Sequence, residues 1–494
     1  MAHPLFLAGR RVIPDQNELN IMLFQIGRAV LILIEVLILF NLLIVVHELG
    51  HFLAARWRGL YIEKFGVWFG KPIWKRTIRG VQYSLGSLPF GGFVALPQLA
   101  PMDIIEGKAD VDRSKLPPVS AIDKIIVAVA GPLFSLLLAF VIAALIWVVG
   151  YPVSEADTTT TVGYVLPESP AANIIQPGDK ILEVDGKPVK RFLGMNDSVS
   201  WNVVRSEGER IPVKFERNGE VKTVSLEPYR AETRGRWRRK SVRQVLILGA
   251  ETPIIEKVEP NTPAAAAGLQ PGDIVRAVNH QPIYHYVALA DQISKHPNDE
   301  FVLQVERAGK QFDVRVKPTL LPTEGEKKPR IGIQWAERLT IIHPAPLEQI
   351  YNSLTSTVNT IFAVASPKSD VGLQHLSGPV GIFRIYYLLF QSEHGWQLAL
   401  WFSVILNVNL AIINMLPIPV LDGGHIVLGI IESVRRKPLN TRVLEYVQGA
   451  CTLLIVGVII YITFFDVQDI PFVRHKLEKF EPKTSTQKQE QGSP

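Results

Sequence analysis

Cysteine is nearly absent: Cys451 is the single one in 494 residues. That excludes an intrachain disulfide and any cysteine-rich zinc site. Charge is sparse as well, at 20% of residues, with 52 lysines and arginines against 46 acids and a net charge of +6. The basic excess gathers beside apolar runs and in residues 233–243. It lacks the interleaved aromatics that single-strand binders use, so nucleic acid is not an expected partner. Nor do residues 1–19 carry the early apolar run and small-residue cleavage site of a secretory signal; they read as a flexible leader.

What the chain does have is long apolar runs, and its mean hydropathy is slightly positive. About 20 helical residues cross a bilayer core, and four stretches qualify: 21–50, 124–150, 396–420 and 444–465. The loop over 52–123 is rich in Arg56, Arg58, Lys64, Lys71, Lys75, Arg76 and Arg79. The turn before the last run carries Arg435, Arg436, Lys437 and Arg442. Basic loops stay on the cytoplasmic side, so both termini and residues 151–330 are expected outside. Arg28 and Glu35 interrupt the first run; Arg28 suits an interface, and Glu35 suits a structural contact. Asn407, Asn409 and Asn414 make the third run unusually polar, and Cys451 reads as packing.

Residues 47–51, at the end of the first run, read HELGH. Histidines four apart share a helix face, so His47 and His51 can reach one ion. Zinc suits the pair, and Glu48 between them suits a general base toward metal-activated water. A catalytic zinc wants a third protein ligand. Asp422 is the favoured residue, because it follows the Pro417 and Pro419 break at the cytoplasmic end of the third run, where a carboxylate needs a cation partner. His425 is the rival. Asn414 is placed either to hold a substrate backbone or oxyanion, or to bond a neighbouring helix.

The glycine-rich segment 81–96, VQYSLGSLPFGGFVAL, reads as a hairpin dipping toward the membrane beside the motif. Its edge, at Gly91 and Gly92, suits pairing with an extended substrate. Irregular backbone at that depth needs protein cover. The stretch 97–120 reads as a connector. Residues 151–330 are soluble in pattern and hold a repeat: VLPESPAANIIQPGDKI at 165–181 returns as VEPNTPAAAAGLQPGDIV at 258–275. The offset from Pro177 to Pro271 marks two copies of one small domain. Residues 350–364 suit an amphipathic helix on the interface, and the tail from 476 suits disorder.

HELGH at 47–51, PFGGFV at 89–94, AGP at 130–132 and NMLPIPVLDGG at 414–424 occur in one order in one family. The chain resembles a site-2 protease family intramembrane zinc metalloprotease of the regulator-of-sigma-E branch, across roughly residues 20–470. The resemblance implies one zinc per chain on His47, His51 and Asp422, with Glu48 as general base. It also implies a substrate-binding Asn414, a membrane-reentrant hairpin and PDZ-like repeats. The family usually carries Asn three residues after its Gly-Pro; Ser135 stands there, so a contact made by the asparagine must come from a hydroxyl or be missing.

The expected fold is a polytopic α-helical membrane protein with four transmembrane helices, a reentrant β-hairpin and two inserted PDZ-like α+β domains. Its expected divisions are a leader (1–19), an N-terminal membrane domain (20–150), PDZ-like domains (151–240 and 241–330), an amphipathic connector (331–395), a C-terminal membrane domain (396–470) and a tail (471–494). The expected substrates are single-span proteins of a bacterial inner membrane, such as pre-trimmed anti-sigma factors or remnant signal peptides, and lipid is the expected surrounding. The soluble pair is expected to exclude bulky substrates, with peptide docking as the alternative.

Overall fold

The computed structural model describes residues 16–99, 116–232, 238–320, 328–436, 439 and 441–470. Most of the leader and of the 97–120 connector, residues 233–237 of the basic segment, and the whole tail lie outside them. Among the described residues, four helices are long and apolar enough to cross a membrane: Met22–Arg58, Ala121–Val149, Gly395–Asn414 and Arg442–Gln468. They belong to α1 (Gln16–Arg58), α2 (Ala121–Val149), α8 (Gly395–Asn414) and α10 (Thr441–Gln468). The chain forms two compact units, residues 1–142 with 382–453 and residues 143–381 with 454–494.

In the first unit, α1 is apolar on every side. Val36, Leu39 and Leu43 point inward while Phe24, Ile34 and Ile38 stay exposed. A helix apolar all round suits a lipid surrounding. Its Gly50 lies so close to α2 that a Cβ there would sit 2.4 Å from the Ala130 carbonyl oxygen. Small residues at such crossings let two backbones approach. Phe52, Ala55, Val94, Leu96, Val127 and Ala130 form one core of this unit. In a second core, Ile32, Val36 and Leu39 meet Tyr386, Phe390 and Ala399.

After α1 comes an antiparallel pair, β1 (Lys64–Ile78) and β2 (Val81–Ala95). It closes at Arg79-Gly80, both with positive φ (52° and 85°), as a two-residue hairpin turn requires. The pairing does not stop there: residues 82–85 and 92–95 both pair with 64–67, in opposite senses, so the chain also reverses within 81–96. The segment is thus half of a larger unit, whose partner β1 comes from the stretch that reads as a basic loop. Gly86 gives the backbones room, since a Cβ there would lie 2.2 Å from the Phe69 carbonyl oxygen.

The third span is shorter than expected. It ends at Asn414 and not near 420, because Pro417 and Pro419 cannot continue the helix. A new helix, α9 (Asp422–Arg435), begins at Asp422. Gly423 and Gly424 permit the sharp return: Cβ atoms on them would fall 2.2 Å and 2.1 Å from the carbonyl oxygens of Met415 and Ile418.

The second unit starts with β3 (Tyr151–Ser154) and holds two modules. The first contains β4 (Val162–Val165), β5 (Lys180–Val184), β6 (Lys187–Pro188), α3 (Val199–Val204), β7 (Ile211–Arg217), β8 (Glu220–Leu226) and β9 (Ile247–Gly249). Here β6-β5-β7-β8 form one sheet and β4 pairs β9. The second repeats the order with β10 (Ile254–Val258), α4 (Pro263–Ala266), β11 (Ile274–Val278), β12 (Gln281–Pro282), α5 (Val287–Lys295), β13 (Phe301–Arg307) and β14 (Lys310–Val316). Short strands β15 (Thr319–Leu320) and β16 (Pro329–Arg330) pair together, β17 (Ile333–Ala336) joins β10, and β18 (Leu339–Ile342) pairs β3. Each module has its own apolar core.

The repeat extends to side chains. Asp179 accepts from Arg217 Nε at 2.7 Å and from the Gln176 N–H; Asp273 does the same with Arg307 Nε at 2.6 Å and the Gln270 N–H. Charge-assisted pairs of this kind hold a turn shape that apolar packing alone would leave loose.

An amphipathic helix, α6 (Pro346–Ala365), follows. Its inward side is polar, with Gln349 donating to the Ala143 carbonyl, while Leu347, Tyr351 and Phe362 face outward. Before α7 (Pro379–Gln391), the buried carboxylate of Asp466 accepts from the backbone N–H groups of Gly378 (2.8 Å) and Gly381 (2.9 Å) and pairs with Arg239 (3.0 Å).

Candidate active site

All proposed site residues lie in the first unit, and the fold brings most of them together. His47 and His51 stack one turn apart on α1, with their Nε2 atoms 3.3 Å apart. Asp422 enters from the start of α9. Its Oδ2 lies 3.2 Å from His47 Nε2, and its Oδ1 lies 3.4 Å from His51 Nε2. One ligand atom from each of the three falls within 4.8 Å of the others.

The outer nitrogens are held by α2. Nδ1 of His51 lies 2.8 Å from the Val127 carbonyl oxygen, and Nδ1 of His47 lies 3.0 Å from Ser135 Oγ. A carbonyl oxygen only accepts, so Nδ1 of His51 carries the proton and Nε2 of the neutral ring presents a lone pair. That lone pair faces another imidazole nitrogen and a carboxylate oxygen. Asp422 Oδ2 is buried with no hydrogen-bond partner. Converging lone pairs with no proton between them repel, and a cation at their centre removes the conflict. Two imidazoles and one carboxylate, with room for a fourth ligand, are a catalytic zinc set. The residues fit the metal.

Glu48 sits between the histidines and lines the same cavity, which has a volume of about 870 Å³, in the upper range for ligand clefts. The backbone N–H of Val94 on β2 donates to its carboxylate. Gly92 is adjacent: a Cβ there would lie 3.4 Å from Glu48 Cγ. Gly91 also lines the cavity, with φ +82° and its open face against the Phe69 ring. Asn414, the last residue of α8, places Nδ2 3.2 Å from His47 Nε2. His425, the rival ligand, lines the cavity without joining the three-residue cluster. Glu35 lies half-buried on α1, away from the cavity lining. Lys124 and Glu432, joined at 2.8 Å, form part of the cavity wall.

Sequence reading missed the Val127 carbonyl and the Val94 N–H, because backbone groups carry no signal in residue type. Position 135 stands out in the sequence as a departure from the family pattern, and its hydroxyl lies 3.0 Å from His47 Nδ1. Gly131 belongs to the AGP motif at 130–132. It lies against both rings, with a Cβ position 2.2 Å from His51 Nε2 and 2.9 Å from His47 Nε2. The spacing 127, 131, 135 is one helix face, and that was the signal to follow.

Known proteins resemble this chain over nearly its whole length. The regulator of sigma-E protease RseP of Escherichia coli K12 is 28% identical, covering 84% of this chain and 94% of that one. The protease RseP of Yersinia pestis is 28% identical over the same shares. A PDZ domain of the SdrC-like protein from Listeria innocua is 20% identical with a TM-score of 0.16, covering 18% of this chain and 97% of that one. The sequence pattern of peptidase family M50 matches residues 35–458. With four span-length helices and a His-His-Asp cluster that fits zinc, the chain belongs to peptidase family M50, a multi-pass intramembrane zinc metalloprotease.

Proposed function

We propose that the protein is an endopeptidase that cuts single-span membrane proteins within or near their membrane segment. The observation that carries this reading is the placement of the His47, His51 and Asp422 cluster, with Glu48, in a cavity walled by apolar helices. His47 and His51 would hold zinc through Nε2, and Asp422 through its carboxylate. Zinc bound there supplies Lewis acidity, acidifying water and polarising a carbonyl.

The chain's own residues do the rest. Glu48 takes a proton from the attacking water onto its carboxylate and delivers it to the leaving amine nitrogen. Asn414 Nδ2 donates to the substrate carbonyl oxygen as charge develops on it. Gly91 and Gly92 keep β2 free of side chains where an extended substrate lies along it. The apolar cavity lining keeps bulk water from the scissile bond. A helical substrate hides its carbonyls, so the target segment unwinds first, at lower cost where it is rich in weak helix formers.

The basic loops favour an active site toward the cytoplasmic side of a bacterial inner membrane, with the soluble modules and both termini on the periplasmic side. The glycine-rich hairpin then lies at membrane depth beside the site. The name of the Escherichia coli relative, regulator of sigma-E protease, favours regulated proteolysis; pre-trimmed anti-sigma factors or remnant signal peptides are the substrate class proposed here. The PDZ-like pair acts as a size filter, because every proposed catalytic residue lies outside it.

The deciding experiment compares Glu48→Gln with wild type in cells and in purified form. The variant should keep its zinc, lose cleavage, and accumulate single-span stubs in the membrane proteome. Proteolysis at wild-type rate by pure Glu48→Gln protein would end this reading.

A further inference from the structure

Three positions on α2 face the metal cluster at successive helical turns: Val127, Gly131 and Ser135. They meet the two histidines of α1 in antiparallel order. The Val127 carbonyl holds His51 Nδ1 at 2.8 Å, Gly131 leaves space for both Nε2 atoms, and Ser135 Oγ lies 3.0 Å from His47 Nδ1. The Ser135 side chain is fully buried, and the His47 ring it meets is buried. From this match we propose that α2 is a template that sets the tautomer and orientation of both imidazoles, with Ser135 as the positioning residue for His47. The proposal rests on the metalloprotease reading above.

The physical basis is the two-sided nature of imidazole. A neutral ring carries one proton, and whichever nitrogen holds it cannot bind metal. In an apolar surrounding, a ring lacking a fixed partner can carry its proton on either nitrogen and turn about its side-chain bonds. The Val127 carbonyl admits only an Nδ1–H on His51. On His47 the Asn414 Nδ2 donor lies 3.2 Å from Nε2, which calls for a lone pair there and puts the proton on Nδ1, where Ser135 Oγ can accept it. The two anchors differ in kind. The His51 anchor is a backbone atom that substitution cannot remove. The His47 anchor depends on one hydroxyl. Partners outside the ligand set typically change metal affinity by about 10- to 100-fold.

The test uses the full chain purified in detergent, with zinc affinity read by chelator competition and thermal melting recorded with and without metal. Ser135→Ala should bind zinc about 10- to 100-fold more weakly. Ser135→Asn, which restores an acceptor, should recover most of the loss. The metal-stripped Ser135→Ala protein should melt with stripped wild type, the difference emerging only in the loaded proteins. Equal zinc affinity in wild type and Ser135→Ala overturns the template role. So does an alanine variant that melts lower by the same amount with and without metal, which assigns Ser135 to helix packing. A wild-type chain that binds no zinc overturns the metalloprotease reading itself, so the two failures are distinguishable.

Discussion

Gly131→Ala puts one methyl group where the two imidazoles meet. The added Cβ would lie 2.2 Å from His51 Nε2, 2.5 Å from its Cε1 and 2.9 Å from His47 Nε2. Nonbonded contacts relax at roughly 3.5 Å, so the His51 ring or the helix pair must move by about 1 Å. Metal–ligand distances tolerate only about 0.2 Å. Neither histidine can yield easily, because Val127 and Ser135 hold the far sides of the rings and Gly50 already brings α1 and α2 together. Overfilling a packed contact costs about 1–3 kcal/mol, and a 1 Å misplacement of reacting groups costs about 100-fold. Gly131→Ala should therefore insert and fold, bind zinc roughly 5- to 150-fold more weakly, and cleave about 100-fold more slowly still. Zinc content after dialysis against a weak chelator measures the first effect, and cleavage of a single-span reporter the second. Gly457→Ala on α10, where a Cβ would touch nothing within 4 Å, is the control and should change neither. Full zinc occupancy at wild-type affinity in Gly131→Ala would refute the reasoning.

Two further outcomes are expected. Deleting residues 160–325, with a linker that preserves span geometry, should leave cleavage of a short-ended substrate measurable and newly permit cleavage of an untrimmed one. A zinc-loaded deletant that cuts less of both would make the pair a docking platform. His285, in the second module, is held neutral: burial pushes its pKa down to about 4, below the ordinary 6.5. Its Nδ1 accepts from the Val287 N–H, and Glu251 lies 3.5 Å from Nε2. That carboxylate alone would favour the charged ring, but burial raises the pKa of Glu251 first, and Glu337, Glu155 and Asp157 add to the rise. The unfolded chain thus binds the His285 proton more tightly than the folded one. The stabilisation is complete above about pH 6.5 and is lost as pH falls toward 4. Melting temperature should drop by something on the order of 5 °C across that window, and His285→Gln should flatten the slope; an unchanged slope would contradict the assignment.

Much of the site could be read from residue types, because its chemistry depends on side chains of fixed spacing. His47 and His51 announce a shared helix face, and Asp422 after two prolines announces a carboxylate at a helix start. What resisted reading was backbone. The Val127 carbonyl and Val94 N–H act at the centre of the site through groups every residue possesses. Glycine carries meanings that residue type does not separate: at 86 and 91 it allows close approach within β2, and at 131 it allows approach of rings. The reversal within 81–96 is legible from its glycines, whereas the tight turn at Arg79-Gly80 and the partner strand before it are hidden among basic residues. The extent of α8 was overestimated because residues 415–420 remain apolar after the helix ends, and hydropathy does not register the loss of N–H donors at Pro417 and Pro419.

Asp466 has a consequence for how the protein is made. Its three partners, Arg239, Gly378 and Gly381, leave the ribosome long before it does, and the Gly378 and Gly381 N–H groups are buried once the chain is folded. Until residue 466 emerges, the start of α7 has two donors without their acceptor, and Arg239 lacks its buried counter-ion. Each unsatisfied buried group costs about 1–3 kcal/mol. The final span therefore works as a closing clasp, completing a contact prepared some 85 residues earlier. Translation that stops before that aspartate leaves a chain with every proposed catalytic residue present but the start of α7 unfastened.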